Sequence, residues 1–126
     1  MTELLPGEVT EAVIGAAIEV HRLLGPGLLE AIYEDCLCEE LKLRGVPFRS
    51  QIESEVFYKG RKTDGKIRID LIVADEVVVE LKAVERVLEV HHAQLLTYLR
   101  MTGKRVGLLI NFNVSALRNG ITRRVL

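Results

Sequence analysis

At 126 residues, 48% of them hydrophobic, the chain can bury one ordinary core and is too short for two comfortable ones, so residues 1–126 are expected to form a single domain. A formal net charge of −1 with 28% charged residues excludes a uniformly basic nucleic-acid binder, and any affinity for a polyanion must come from a local patch. Basic residues gather in two places: Lys59, Arg61, Lys62, Lys66 and Arg68 in one short segment, and Arg118, Arg123 and Arg124 near the C-terminus. Read alone, either group is equally well explained as a solvated surface.

Cys36 and Cys38 stand two apart in a helical segment, where side chains point to different sides and a disulfide does not close easily. With no further cysteine nearby, a zinc site is not expected. The first residues lack a basic stretch followed by an apolar run, and no apolar span approaches membrane length. These features point to no signal peptide, no membrane partner and a soluble, reducing, cytoplasmic setting.

In chain order, Thr10 is a reasonable N-cap for a first helix over Glu11 to Leu24, with Val13, Ala16, Ala17, Val20 and Leu24 at helical spacing before Gly25-Pro26-Gly27. A second helix is predicted from about Leu28 to Arg44 on the stripe Leu29, Ile32, Tyr33, Cys36, Leu37 and Leu41, with Glu30 beside it near the N-terminus. The period then changes. Strands are predicted near Phe48 to Ile52, Glu55 to Tyr58, Lys66 to Val73 and Val77 to Ala83, with turns at Lys59-Gly60 and Asp64-Gly65. Leu88 to Met101 reads as a third helix closed by Gly103, Arg105 to Phe112 as a buried strand, and Ile121 to Val125 as a short terminal strand. The order implies an α/β or α+β fold with a mixed sheet.

Charges inside apolar β-type runs need a reason, and here they are Asp70 in Arg68-Ile69-Asp70-Leu71-Ile72-Val73 and Glu80 and Lys82 in Val77-Val78-Val79-Glu80-Leu81-Lys82. Alternation puts Ile69, Leu71 and Val73 on one face and Arg68, Asp70 and Ile72 on the other, while Val78, Glu80 and Lys82 share a face. In a hairpin, Asp70 meets Glu80 only if the register is centred on Asp75, which a three-residue or five-residue loop gives and a two-residue loop does not. Two adjoining carboxylates repel unless a cation sits between them or one keeps its proton, and a hard divalent ion such as Mg²⁺ meets that need. Such an ion can polarise a phosphoryl oxygen and activate water, with Lys82 orienting the water or offsetting charge. A cross-strand ion pair of Asp70 with Lys82 explains the spacing about as well. Gln94 and Tyr98, four apart, and His91, three before Gln94, can project from one helix face, although Tyr98 alone reads better as core. Glu30 alone reads as a carboxylate favoured by a helix N-terminus.

The segment Gly60-Arg61-Lys62-Thr63-Asp64-Gly65-Lys66 matches most of a phosphate-binding loop, but Ile67 stands where Ser or Thr is needed and a strand follows, so that reading is rejected. His21 and His92 have no metal-ligand spacing.

Across nearly its whole length the chain resembles the GxxExxY family. The name-giving pattern is matched by Gly27-Leu28-Leu29-Glu30-Ala31-Ile32-Tyr33, and further likeness lies in Tyr58-Lys59-Gly60, Asp70-Leu71, Val79-Glu80-Leu81-Lys82-Ala83, Ala93-Gln94-Leu95-Leu96-Thr97-Tyr98-Leu99 and Gly107 to Phe112. That family is placed in the PD-(D/E)xK superfamily. The resemblance implies one restriction-endonuclease-like domain with a central mixed sheet of about four core strands flanked by helices. It also implies Asp70 as the motif aspartate, Glu80 and Lys82 as the (D/E)xK pair, Glu30 as a helical acidic residue, and Gln94 with Tyr98 as a helical element. Ile69 stands in place of the nominal proline.

The expected activity is metal-dependent phosphodiester hydrolysis of nucleic acid, DNA first, with endo or exo action open. Mg²⁺, or Mn²⁺ in its place, would be held by Glu30, Asp70 and Glu80, with Lys82, Gln94 and Tyr98 completing the catalytic set. Lys59, Arg61, Lys62, Lys66, Arg68 and His91 are candidate nucleic-acid contacts. The competing readings are a non-catalytic nucleic-acid-binding or protein-interaction module on the same fold, and a hydrolase of small phosphate esters. A homodimer is compatible with so short a domain, but no heptad pattern fixes one.

Overall fold

The computed structural model describes residues 6–126. Its elements, in chain order, are α1 (Pro6–Leu24), α2 (Glu30–Leu43), β1 (Phe48–Tyr58), β2 (Arg61–Val73), β3 (Val77–Lys82), α3 (Glu89–Thr102), β4 (Val106–Asn111), a 3₁₀ turn (Leu117–Gly120) and β5 (Ile121–Val125). The strands form one sheet in the order β1-β2-β3-β4-β5. β3 and β4 run parallel, joined by the α3 crossover that parallel neighbours need, and the other pairings are antiparallel. The fold is mixed α/β, with five strands where about four were expected.

Each face of the sheet is buried by its own helices. On one side Leu71, Val73, Val77, Val79, Leu81, Leu108 and Ile110 pack against Val9, Val13, Ala17 and Val20 of α1 and Tyr33, Leu37 and Leu41 of α2. On the other, Ile72, Val78 and Leu109 meet Leu95 and Leu99 of α3. β3 and β4 are therefore apolar at almost every position, as strands buried on both faces must be. Leu95 comes so close to β4 that a Cβ on Gly107 would lie 2.8 Å from its Cδ1, which sets α3 tight against the sheet.

Four expectations are corrected. α1 begins at Pro6, so Thr10 is a buried helical residue and not the N-cap: Val9 extends the apolar stripe one turn further back, and a proline suits a first helical turn. The two strands predicted over 48–58 are one, β1. Asp64-Gly65 is no turn but part of a bulge in β2, where the pairing moves from Glu55↔Lys66 to Phe57↔Lys62; the hairpin turn is Lys59-Gly60, both at positive φ (51° and 78°). Finally, Ile69 does not share a face with Leu71 and Val73 but packs with Ile72 against α3. The cause is a break in the β1–β2 ladder: pairs run to Ser50↔Leu71 and resume at Ile52↔Ile69, and Gln51 between them has φ 50°, which flips the faces beyond it.

α2 starts where a turn is held shut by one side chain. The buried Tyr33 hydroxyl donates to the Gly25 carbonyl (2.6 Å) and accepts from the Leu28 N–H (3.2 Å), and its ring stacks on Phe112 at 4.5 Å. Tyr33 thereby fixes the approach to Glu30. Tyr33→Phe keeps the stack but strips both hydrogen bonds, and is expected to cost about 1–2 kcal/mol, measurable by chemical denaturation, with the secondary structure unchanged by circular dichroism.

Candidate active site

The β2–β3 turn is the three-residue loop Ala74-Asp75-Glu76, closed by Glu76 N–H to the Val73 carbonyl (3.0 Å), with Ala74 and Asp75 both at positive φ. Lys104 and Arg49 pin it by bonding the exposed Asp75 carboxylate at 3.1 and 3.3 Å. The resulting register, Val73↔Val77, Ile72↔Val78 and Leu71↔Val79, is centred on Asp75 and carries Asp70 opposite Glu80. Asp70 therefore does not face Lys82, and among the described residues no ion pair joins those two.

At Asp70 and Glu80 the regular ladder stops and carboxylates take its place. Asp70 Oδ2 accepts the Leu81 N–H at 2.8 Å, and Glu80 Oε1 accepts the Asp70 N–H at 3.3 Å. Each acid thus caps the other strand's backbone, which holds the two side chains in the cleft where the strands part. Glu80 is only 5% exposed. Burial first, then the negative charge of Asp70 and a hydrogen bond to it, push the Glu80 carboxyl up to about 9, so near neutrality Glu80 favours its protonated form.

Other elements converge on this pair. Glu30, the first residue of α2, has its carboxyl raised by partial burial and then by Asp70, with Lys82 acting in the opposite direction; both strand residues are therefore within its electrostatic reach. From α3, Gln94 Nε2 donates to the Tyr98 hydroxyl at 3.0 Å, and that hydroxyl is raised by burial and by the charges of Glu80 and Asp70. Lys82 closes β3 in register with Asn111, and its carbonyl accepts the Phe112 N–H at 2.9 Å. The structure thus brings together Glu30, Asp70, Glu80, Lys82, Gln94 and Tyr98.

His91 reaches the edge of this group but has a structural task. Its Nδ1 accepts the Leu88 N–H at 3.0 Å, capping α3, and the ring is biased to the neutral form by desolvation and then by Lys82. The basic segment lies on the β1–β2 hairpin, which runs past the end of β3 as a two-stranded arm. Lys62 pairs with Glu55 (3.0 Å), and Lys66 and Arg68 pair with Glu53 (3.6 and 3.7 Å), while Lys59 lies over the Tyr58 ring. Three of the arm's five basic residues are thus paired with carboxylates of the facing strand.

Three residues of the site region carried no functional signal in the sequence. Glu34, one turn beyond Glu30, is raised by burial and by Asp70 and Glu30. Gln51, opposite Asp70 in the ladder break, donates to both Glu34 oxygens at 2.7 and 2.8 Å. Asn111, 3% exposed, clasps the chain just after Lys82, accepting from Val84 N–H (3.0 Å) and donating to the Val84 carbonyl (2.9 Å). A buried asparagine in an apolar strand was the only one of the three visible as an anomaly.

The donor set is of hard oxygens, which suits Mg²⁺ or Mn²⁺. Among the described residues no group of three His, Cys, Asp or Glu side chains forms a ready-made metal cage. Mg²⁺ does not require one: such an ion is commonly held by one or two carboxylates with water and phosphate completing its shell, and the raised Glu80 carboxyl beside Asp70 marks where positive charge is favoured. A cavity of about 410 Å³, lined by Asp75, Val77, Lys104, Val106 and Val125, lies at the other end of β3 and β4 and contains none of these residues.

The raised Glu80 carboxyl gives a signed pH dependence. The folded state prefers the proton, so this group's contribution to stability is complete below about 4.5 and is lost as pH rises through about 9. Glu80→Gln, neutral at every pH, is expected to match the wild type near pH 5 in metal-free buffer. By pH 8 it should exceed it by on the order of 2 kcal/mol in denaturant titrations.

The geometry agrees with what comparison with known proteins finds. A family model described as the PD-(D/E)XK nuclease superfamily matches residues 7–124. No curated protein and no solved structure gives a significant match. No described helix is long and apolar enough to cross a membrane. Residues 7–124 cover almost the whole chain and include every group gathered at the parting of β2 and β3: the chain belongs to the PD-(D/E)XK nuclease superfamily.

Proposed function

We propose that the protein is a Mg²⁺-dependent nuclease acting on DNA, with Mn²⁺ able to substitute, and that its site is the cleft between Asp70 and Glu80. The observation that carries this reading is the carboxylate pair at the end of the β2–β3 ladder, each acid bonded to the other strand's backbone and Glu80 buried, with Lys82 two residues along β3. Superfamily membership makes nucleic acid the expected substrate class. Asp70 and Glu80 would hold the ion, with Glu30 at the mouth supplying a further oxygen. When bound, a divalent ion supplies Lewis-acid polarisation of the phosphoryl group and a counter-charge for the leaving oxygen.

The chain's own groups do the rest. Glu80 must give up its proton for the site to reach full negative charge, so activity should rise with pH through the neutral range. Lys82 brings a compact ammonium that orients water and offsets charge developing on phosphate. The Tyr98 hydroxyl, whose oxygen is already engaged by Gln94, has its proton free to donate to a phosphate oxygen. Exposed ion pairs such as those of Lys62, Lys66 and Arg68 are worth only about 0–1 kcal/mol, so backbone phosphates could displace Glu53 and Glu55 as partners. Lys59 and Arg61 sit at the tip of the same arm.

The test is incubation with single-stranded, duplex, nicked and tailed DNA and with RNA, in Mg²⁺, Mn²⁺ or EDTA. Cleavage is expected with either metal and not in EDTA. Lys82→Ala and Asp70→Asn should each lower it by on the order of a hundredfold or more while melting curves show folded protein. Salt-sensitive binding without cleavage, unaffected by Lys82→Ala, would replace the reading with a non-catalytic binding module.

A further inference from the structure

We propose that Gln51 is a positioning residue of the acidic site, holding the Glu34 carboxylate in place beside Glu30 and Asp70. The inference rests on the nuclease reading of that site and adds residues to it. It starts from an irregularity inside a strand: Gln51, the fourth residue of the 11-residue β1, adopts φ 50°. That region disfavours any residue with a Cβ, and an isolated non-glycine there persists only where its surroundings hold it.

Its position and its contacts say what it is held for. The β1–β2 pairs on either side, Ser50↔Leu71 and Ile52↔Ile69, leave Gln51 and Asp70 as the unpaired couple, so the irregular residue faces the central acid of the site. At that point, with the register the same on either side, the side-chain amide reaches α2 and donates to both Glu34 oxygens at 2.7 and 2.8 Å. One amide nitrogen at hydrogen-bond distance from both oxygens favours a single orientation of the carboxylate. Glu34 lies one helical turn from Glu30 and within electrostatic reach of both Glu30 and Asp70. Left free, it could turn away to solvent. Held by Gln51, it adds a stationary negative charge behind the carboxylates that take the cation, and it leaves their oxygens unobstructed. The hydrogen bond also favours the ionised form of Glu34 against the burial that raises it. The same ladder break turns Ile52 and Ile69 onto α3, so the bend that seats the arm and the bend that aims Gln51 are one feature.

Gln51→Gly separates positioning from architecture, because glycine accepts the left-handed conformation but carries no amide. The expected result is a melting temperature equal to or above that of the wild type. Mn²⁺ and Mg²⁺ binding, measured by calorimetry, should weaken about threefold to tenfold, and kcat should fall by a similar factor with little change in KM for the nucleic acid. Glu34→Gln should weaken metal binding to a similar degree, and the double variant should be no worse than either single one, since the two residues act as a unit. A Gln51→Gly protein with wild-type metal affinity and wild-type kcat would overturn the proposal and leave Gln51 as a bend in the strand. A wild type that neither binds Mn²⁺ nor cuts nucleic acid would overturn the nuclease reading itself, and that outcome is read from a different arm of the experiment.

Discussion

Two carboxylates meet where β2 and β3 separate, and most of the molecule is arranged around the cost of that meeting. Asp70 and Glu80 each cap a backbone N–H of the opposite strand, so neither can move away without leaving a buried donor unsatisfied. Held against Asp70 and only 5% exposed, Glu80 has its carboxyl pushed up to about 9 by burial and by that neighbouring charge. A structure concerned with stability alone would replace such a pair by apolar residues, as every neighbour in β3 from Val77 to Val79 already is. The strain is relieved by adding positive charge, which is what a cation-dependent site needs to offer.

Several unrelated contacts keep the pair in register. The loop at Ala74-Asp75-Glu76 sets which residues oppose one another, and Lys104 with Arg49 holds that loop from the far side. Asn111 clasps the chain leaving Lys82, so the ammonium emerges from a fixed point. Leu95 on Gly107 brings α3 close enough for Tyr98 to feel the charges of Glu80 and Asp70. Tyr33 closes the turn that launches α2 at Glu30. Local elements thus fix each side chain separately, and the site is their intersection.

Much of this was legible in the sequence. Apolar alternation and its interruption by Asp70, Glu80 and Lys82 located the strand pair, and the condition that Asp70 faces Glu80 only in a hairpin centred on Asp75 is the register that forms. The terminal strand Ile121–Val125 lies where periodicity put it. Glu30 was different: by position it was an ordinary helix-start carboxylate, and only the family resemblance pointed to it. What periodicity could not show was the ladder break at Gln51, where the positions beyond it on the arm, Ile52, Ile67 and Ile69, turn to the α3 face without any mark in composition. That break explains why Ile69 was assigned to the wrong face and why Gln51 and Glu34 went unnoticed. The carboxylate partners of Lys62, Lys66 and Arg68, namely Glu53 and Glu55, come from the facing strand, a pairing that linear sequence does not display.

The claim on which the account turns is that the Asp70–Glu80 pair exchanges its proton for a divalent cation. Calorimetric titration of the protein with Mn²⁺ at pH 7, in two buffers of different ionisation enthalpy, measures that exchange directly. The account predicts saturable binding with release of about one proton per ion, and the release should disappear in Glu80→Gln. Binding with no proton release, or release unchanged in Glu80→Gln, would contradict it.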